Sequence, residues 1–277
     1  MAGDYREASL TSWESSAAGW AYWARRLSEA SAEVTEWLVG RLALRDGDTI
    51  LELAAGSGDL GYEAAARADV RLITTDFSEP MLAEARRRAE EVGAASVEFR
   101  VMDAEDMELP DDSVDAVLCR YGYMLMADCA AALGETRRVL RPGRRVAFAT
   151  WGLPDRNAWV LFGRILVERG LMPRPAPGEP GIFGLPEAAA VEPLLQSAGF
   201  GEIESEVIDF VLDYPSFEGY WDFVSRAAGA VTPVLAAMSP DDLADFRREL
   251  AERSAPFLRP DGSLAFPASS LAVAATA

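Results

Sequence analysis

A doubly wound α/β fold on a mostly parallel sheet is predicted by three observations. Strand-like and helix-like stretches alternate five times between residues 49 and 151, the connections are short, and a glycine-rich loop follows the first strand directly. Apolar strands alternating with helices in this way form a parallel sheet covered on both faces. Ahead of the sheet, Leu10 to Leu42 reads as a helical segment carrying Trp13, Trp20, Tyr22, Trp23 and Trp37. Thr49 to Ala54 (TILELA) reads as the first, buried strand, after a turn at Arg45-Asp46-Gly47-Asp48. A short helix runs to about Arg67, and Val70 to Thr75 is the second strand. Ser78 caps the next helix, with Pro80 in its first turn and an apolar stripe of Met81, Leu82, Ala85, Ala89 and Val92. Val97 to Met102 is the third strand and Val114 to Cys119 the fourth. A helix bearing Leu133, Thr136, Val139 and Leu140 ends at Pro142-Gly143, ahead of a fifth strand from Arg145 to Trp151.

The texture then changes. Met172 to Gly184 is a proline- and glycine-rich loop, and a helix from Pro186 to Ala198 leads into a sixth strand, Glu202 to Tyr214. Two helices, Tyr220 to Met238 and Pro240 to Arg253, precede a last strand from Leu264 to Ala275. With no internal repeat or low-complexity linker, residues 1–277 read as one domain. Residues 1–45 form an N-terminal helical segment, 46–152 the ligand-binding core, and 153–277 a part that completes the sheet, with lid helices at about 215–255.

Composition narrows the function. Half of the residues are apolar, enough for a sizeable core, and the net charge is -19. An acid excess of that size excludes a nucleic-acid partner, which needs a basic stripe. There is no histidine, so the commonest general base and metal ligand is missing, and no lysine either. Cys119 and Cys129 lie ten residues apart, which suits neither a redox pair nor a zinc site. No metal is predicted. The absence of a secretory signal and of a long apolar run leads to the expectation of a cytoplasmic protein without membrane insertion.

The chemistry concentrates in Glu52-Leu-Ala-Ala-Gly56-Ser-Gly58-Asp-Leu-Gly61, directly after the first strand. Glycines there allow a tight turn and bare backbone against a ligand. Taken alone the spacing is weak, since a strand-to-helix turn without a ligand also uses glycines. Two further acids sharpen it. Asp76 ends the second strand, where a carboxylate can accept both hydroxyls of a ribose, and Asp103 ends the third, followed by Ala104 and Glu105. An acid at one strand end is commonly a cap; three in register point at the carboxyl edge, where open α/β sheets bind ligands.

These stretches resemble the class I S-adenosylmethionine-dependent methyltransferases, and most closely the group related to ubiquinone and menaquinone biosynthesis C-methyltransferases. The resemblance rests on ILELAAGSGDLG, TTDFSEPML, MDAEDMELPDDSVDAVLCRYGYML and RRVLRPGRRVAFATW, with the Trp13, Ala17, Gly19, Trp20, Trp23 spacing of the first helix. It implies a Rossmann-like, seven-stranded sheet with an antiparallel last strand and a helical cap. It implies S-adenosyl-L-methionine as cofactor, with Glu52, Ala54, Ala55, Gly56 and Gly58 holding the methionine portion and Asp76 the ribose. Phe77 and Met81 would flank the adenosine, Asp103, Ala104 and Glu105 would meet the adenine edge, and Arg120 and Tyr121 would border cofactor and acceptor. Two departures stand out: Ala54 replaces a frequent glycine, and RYGYMLMAD stands where quinone-pathway enzymes carry a glycine-leucine-arginine-asparagine stretch.

Methyl transfer suits these residues, because a sulfonium methyl is already activated and needs chiefly in-line alignment, worth about 7–11 kcal/mol. No catalytic residue is assigned; Tyr121 and Tyr22 are the candidate bases. Trp20, Trp23, Tyr121 and Trp151, with Tyr220 and Trp221, are candidates to line a pocket for a small aromatic or polyketide-like acceptor, although aromatics at helical spacing usually face a core. Two other functions compete with this one. A nicotinamide-dependent dehydrogenase would lack its usual proton relay, and its loop would follow an all-apolar strand where Glu52 stands. A cyclase, isomerase or binding module on the same fold would keep the cofactor as a structural element. The sequence leaves the oligomeric state open.

Overall fold

A computed structural model describes residues 2–94, 96–174, 176 and 178–277. Pro175 and Pro177 of the proline-rich loop lie outside the described residues. The strands are β1 (Thr49–Glu52), β2 (Arg71–Asp76), β3 (Val97–Val101), β4 (Val114–Arg120), β5 (Leu140–Trp151), β6 (Gly201–Tyr214) and β7 (Leu264–Thr276). They form one seven-stranded sheet in the order β3-β2-β1-β4-β5-β7-β6. The first five pair in parallel, and β7 runs antiparallel between β5 and β6, as expected. Ile50, Leu51, Leu72, Val117 and Leu118 are buried, because both faces of the central strands are covered.

The helices are α1 (Ala2–Ala30), α2 (Ala32–Arg41), α3 (Asp59–Ala65), α4 (Glu79–Val92), α5 (Cys129–Val139), α6 (Leu161–Glu168), α7 (Ala188–Ser197), α8 (Phe217–Arg226), α9 (Thr232–Ala236) and α10 (Pro240–Ser254). The chain winds from β1 toward β3 and then, in the opposite direction, from β4 toward β5. Right-handed crossovers therefore put α3 and α4 on one face and α5 on the other. The reversal between β1 and β4 opens a crevice at their carboxyl ends, the place where such sheets bind ligands.

Ser78 caps α4 as predicted, its hydroxyl accepting from the Met81 N–H at 3.3 Å. Four elements differ from expectation. The N-terminal segment starts at Ala2 and splits at Ser31 into α1 and α2. β5 begins at Leu140, which pairs with Val114, so Pro142-Gly143 lies inside the strand instead of after a helix. Gly143, at φ +75°, turns its N–H onto the Ala277 carbonyl at 2.8 Å, which satisfies the irregular stretch. The helix expected from Tyr220 to Met238 ends at Arg226, a 3-10 turn follows at Gly229–Val231, and the short α9 starts with Pro233 in its first turn, because proline cannot donate to the preceding turn. Helix α6 had no sequence counterpart; it is short and follows two 3-10 turns. Among the described residues no helix is long and apolar enough to cross a membrane.

α1 binds the cap to the sheet. Gly19 approaches α8 so closely that a Cβ there would lie 2.1 Å from the Arg226 carbonyl oxygen. Trp23 donates its indole N–H to Asp222 at 3.0 Å, joining the same two helices.

Candidate active site

Glu52 is the last residue of β1, and its side chain lies under the start of α3. Its carboxylate accepts from the Gly61 N–H at 2.9 Å and from the Thr74 hydroxyl at 3.3 Å. Burial pushes the carboxyl up to about 7, against the lowering effects of the Gly61 hydrogen bond and the Arg120 charge. The third glycine of the loop makes this geometry possible, since a Cβ on Gly61 would stand 2.4 Å from Glu52 Oε2 and 3.0 Å from Leu72 Cδ2. Gly61→Ala is therefore expected to destabilise the fold by about 1–3 kcal/mol through overpacking. Denaturant unfolding measures it, and an unchanged midpoint would contradict the tight contact.

Between Glu52 and α3 the chain turns on two glycines that are packed under side chains, Gly56 under Trp20 and Gly58 under Tyr62. Gly56 and Gly58 have φ values of +56° and +77°, which glycine adopts without strain. Ala54 also takes a positive φ, +49°, at a cost of about 1–2 kcal/mol for an L-residue. Gly122 makes room for the Ala54 methyl: a Cβ on Gly122 would lie 2.7 Å from it. Ala55 is half-buried, and its N–H donates to the Thr75 carbonyl at 2.9 Å.

Asp76 ends β2 one strand away and is buried. Its oxygens accept from the Gly56 and Ser78 N–H groups, each at 3.0 Å, so the carboxylate ties the glycine loop to the start of α4. Burial raises it to about 6 despite these bonds. Phe77 is half-buried beside it and Met81 is buried in α4. Past the end of β3, Asp103 accepts from the Glu105 N–H at 2.9 Å, Ala104 is buried, and Glu105 accepts from the Ala127 N–H at 2.8 Å. The three acids thus stand on adjacent strands at one edge, as the sequence predicts.

The N-terminal helix lies across this edge. Arg6 pairs with Asp103 at 3.3 Å and with Glu105, and the Tyr5 hydroxyl donates to the Leu125 carbonyl at 3.2 Å. The Trp20 indole stands over Gly56, where a Cβ would meet its nitrogen at 2.8 Å. Arg6 and Tyr5 were missed, because the predicted helix begins only at Leu10 and an Arg between acids reads as solvated surface.

The other candidates divide. Tyr121, at φ +64°, stacks face to face on Trp151 with ring centroids 4.3 Å apart and donates or accepts a 2.8 Å hydrogen bond with Ser270. Trp151 continues to Trp159 and Phe210, and through Phe223 the cluster reaches Trp23. Trp159, Phe210 and Phe223 were not singled out in the sequence. Burial pushes the Tyr121 phenol up, which disfavours the phenolate that would act as a base. Tyr22 is 60% exposed and stands outside the site, and Tyr220 is a fully buried core residue bonded to the Trp159 carbonyl. Trp221 packs against Phe246 of α10. The Arg120 guanidinium donates to Ser28 of α1 and Thr35 of α2, near enough to Glu52 for its charge to act there.

Known proteins resemble this chain in sequence and in fold. A family model described as a methyltransferase domain matches residues 50–143. A demethylmenaquinone methyltransferase of Thermus thermophilus is 36% identical over 173 residues, covering 58% of this chain and 77% of that protein. A 2-phytyl-1,4-naphtoquinone methyltransferase of Synechococcus elongatus is 32% identical over 137 residues, 48% of this chain and 59% of its own length. Among solved structures, the YcgJ protein of Bacillus subtilis shares the fold at a TM-score of 0.60 and 18% identity, over 88% of this chain and 98% of that one.

Proposed function

The chain belongs to the S-adenosylmethionine-dependent methyltransferases of the quinone-biosynthesis type, and from that premise we propose that it methylates a small apolar or aromatic acceptor on carbon or oxygen. The residues at the carboxyl edge suit the cofactor of that family. Gly56, under the Trp20 indole, and Gly58, under the Tyr62 hydroxyl, let the loop turn tightly at the crevice, Asp76 offers a buried carboxylate for two ribose hydroxyls, and Glu52 offers one for an ammonium group. When bound, the cofactor supplies an electrophilic sulfonium methyl. Asp103, Ala104 and Glu105 would face the adenine, with Phe77 and Met81 beside the adenosine. Arg6 holds Asp103 and Glu105 in competition with that role. Arg6→Ala is expected to tighten S-adenosylhomocysteine binding up to about fivefold, the scale of an exposed ion pair. Calorimetry measures it, and weaker binding would place Arg6 among the ligand's own contacts.

The acceptor class rests on the aromatic wall that begins with Tyr121 stacked on Trp151, at the carboxyl ends of β4 and β5. β4 adjoins β1 in the sheet and β5 lies one strand further, so the Tyr121 end of the wall stands next to the acid edge. A flat ring slotted against it would be oriented for in-line attack, with water excluded by Trp23, Trp159 and Phe223. Mass spectrometry after incubation with S-adenosylmethionine and naphthols, hydroquinones or aliphatic amines tests this. Methylated naphthol or hydroquinone is expected; transfer to amines alone would overturn the acceptor class.

A further inference from the structure

Arg120 ends β4 between the acid edge and the aromatic wall. Its Nη1 donates to Thr35 Oγ1 at 2.7 Å and to Ser28 Oγ at 3.3 Å, and its Nη2 donates to the same Ser28 oxygen at 3.2 Å. Ser28 thus takes the end of the guanidinium fork, and Thr35 takes the outer Nη1 hydrogen. The parallel pair on the remaining side, Nε–H and the outer Nη2–H, has no protein acceptor among the described residues. Neighbouring guanidiniums at the edge are neutralised, Arg6 by Asp103 and Glu105, Arg88 by Asp59 at 2.9 Å. Arg120 meets only hydroxyls, from Thr35, which is fully buried, and Ser28, which is nearly so. Hydroxyls orient a guanidinium without neutralising it, and a half-buried charge left in that state favours an anion.

We propose that Arg120 seats a ligand carboxylate on its open Nε–Nη2 side. The fork matches the two oxygens of a carboxylate, and the hydroxyls of Ser28 and Thr35 fix its plane in advance. The carboxylate comes from the amino-acid end of the cofactor or from an acidic acceptor. Arg120 lies on the strand beside Glu52, and its charge is felt there, so one end of an amino acid would meet each side chain. The inference rests on the cofactor reading above and makes it specific to one group of atoms.

Two ligand pairs separate the sources. S-adenosylhomocysteine and 5′-methylthioadenosine share adenosine and thioether, but only the first carries a carboxylate. Arg120→Leu is expected to weaken the first by about tenfold to a hundredfold and leave the second unchanged. If the acceptor is the source, both nucleosides bind Arg120→Leu as they bind the wild type. The variant then loses the wild type's preference for 1-hydroxy-2-naphthoate over 1-naphthol, measured with S-adenosylhomocysteine present. Arg120→Lys, which keeps the charge but loses the fork, should show the same selectivity to a smaller degree, and it serves if the leucine variant does not fold. Equal weakening of both nucleosides, or no change in either pair, would overturn the proposal. The underlying cofactor reading is checked separately by Asp76→Ala, which should weaken both nucleosides together.

Discussion

Asp76→Ala is expected to lower the affinity for S-adenosylhomocysteine by about a hundredfold or more, the largest loss from any single truncation at the edge. The carboxylate would donate nothing and accept two ribose hydroxyls, and charge-assisted hydrogen bonds are each worth about 1.5–3 kcal/mol. The same change leaves the Gly56 and Ser78 N–H groups without their acceptor. That costs about 1–3 kcal/mol per group, offset in part because a carboxylate raised to about 6 by burial is itself removed. The variant should therefore fold with a lower melting temperature, read by circular dichroism, while calorimetry reads the affinity. Unchanged affinity in a folded variant would overturn the ribose assignment.

A pH series should show cofactor affinity rising and ligand-free stability falling over the same interval. Glu52 is raised from 4.5 to about 7, chiefly by burial, so between these values the native state holds a proton that the unfolded state has lost. Stability from this group is complete below 4.5 and is lost as the pH rises through 7, on the order of 3 kcal/mol in all. Asp76, raised from 3.8 to about 6, acts in the same direction at slightly lower pH. An ammonium group needs the ionised form of Glu52, so below about 7 binding must expel a proton, and affinity falls by up to about tenfold per pH unit. Glu52→Gln should flatten both profiles near pH 7 and weaken binding at high pH. A steep affinity profile persisting in Glu52→Gln would move the titration to another group.

The acid edge was legible because it depends on strand ends alone. Glu52, Asp76 and Asp103 each follow an apolar run, and sheet geometry then carries their carboxylates to one crevice. The seven-stranded sheet and its antiparallel last strand followed from the family resemblance and not from periodicity, and the strand order came from the structure alone. What could not be read was set by tertiary contact. Arg6 finds Asp103 only because α1 begins at Ala2 and lies across the edge, a matter of docking that no local pattern encodes. Trp23 and Trp20 sit three residues apart on one helix, yet one packs against Tyr214 and Phe223 while the other covers Gly56. The stretch Tyr220 to Met238 reads as one helix, yet α8 ends at Arg226 and α9 restarts at Thr232 with Pro233 in its first turn.

The most direct test of the site is a crystal structure of the protein with S-adenosylhomocysteine. The account predicts the ribose hydroxyls on Asp76, the amino-acid end beside Glu52, the adenine between Phe77 and Asp103, and Arg6 released from Asp103. A ligand seated away from the β1–β2 edge, or bound there with its ribose on a different carboxylate, would contradict it.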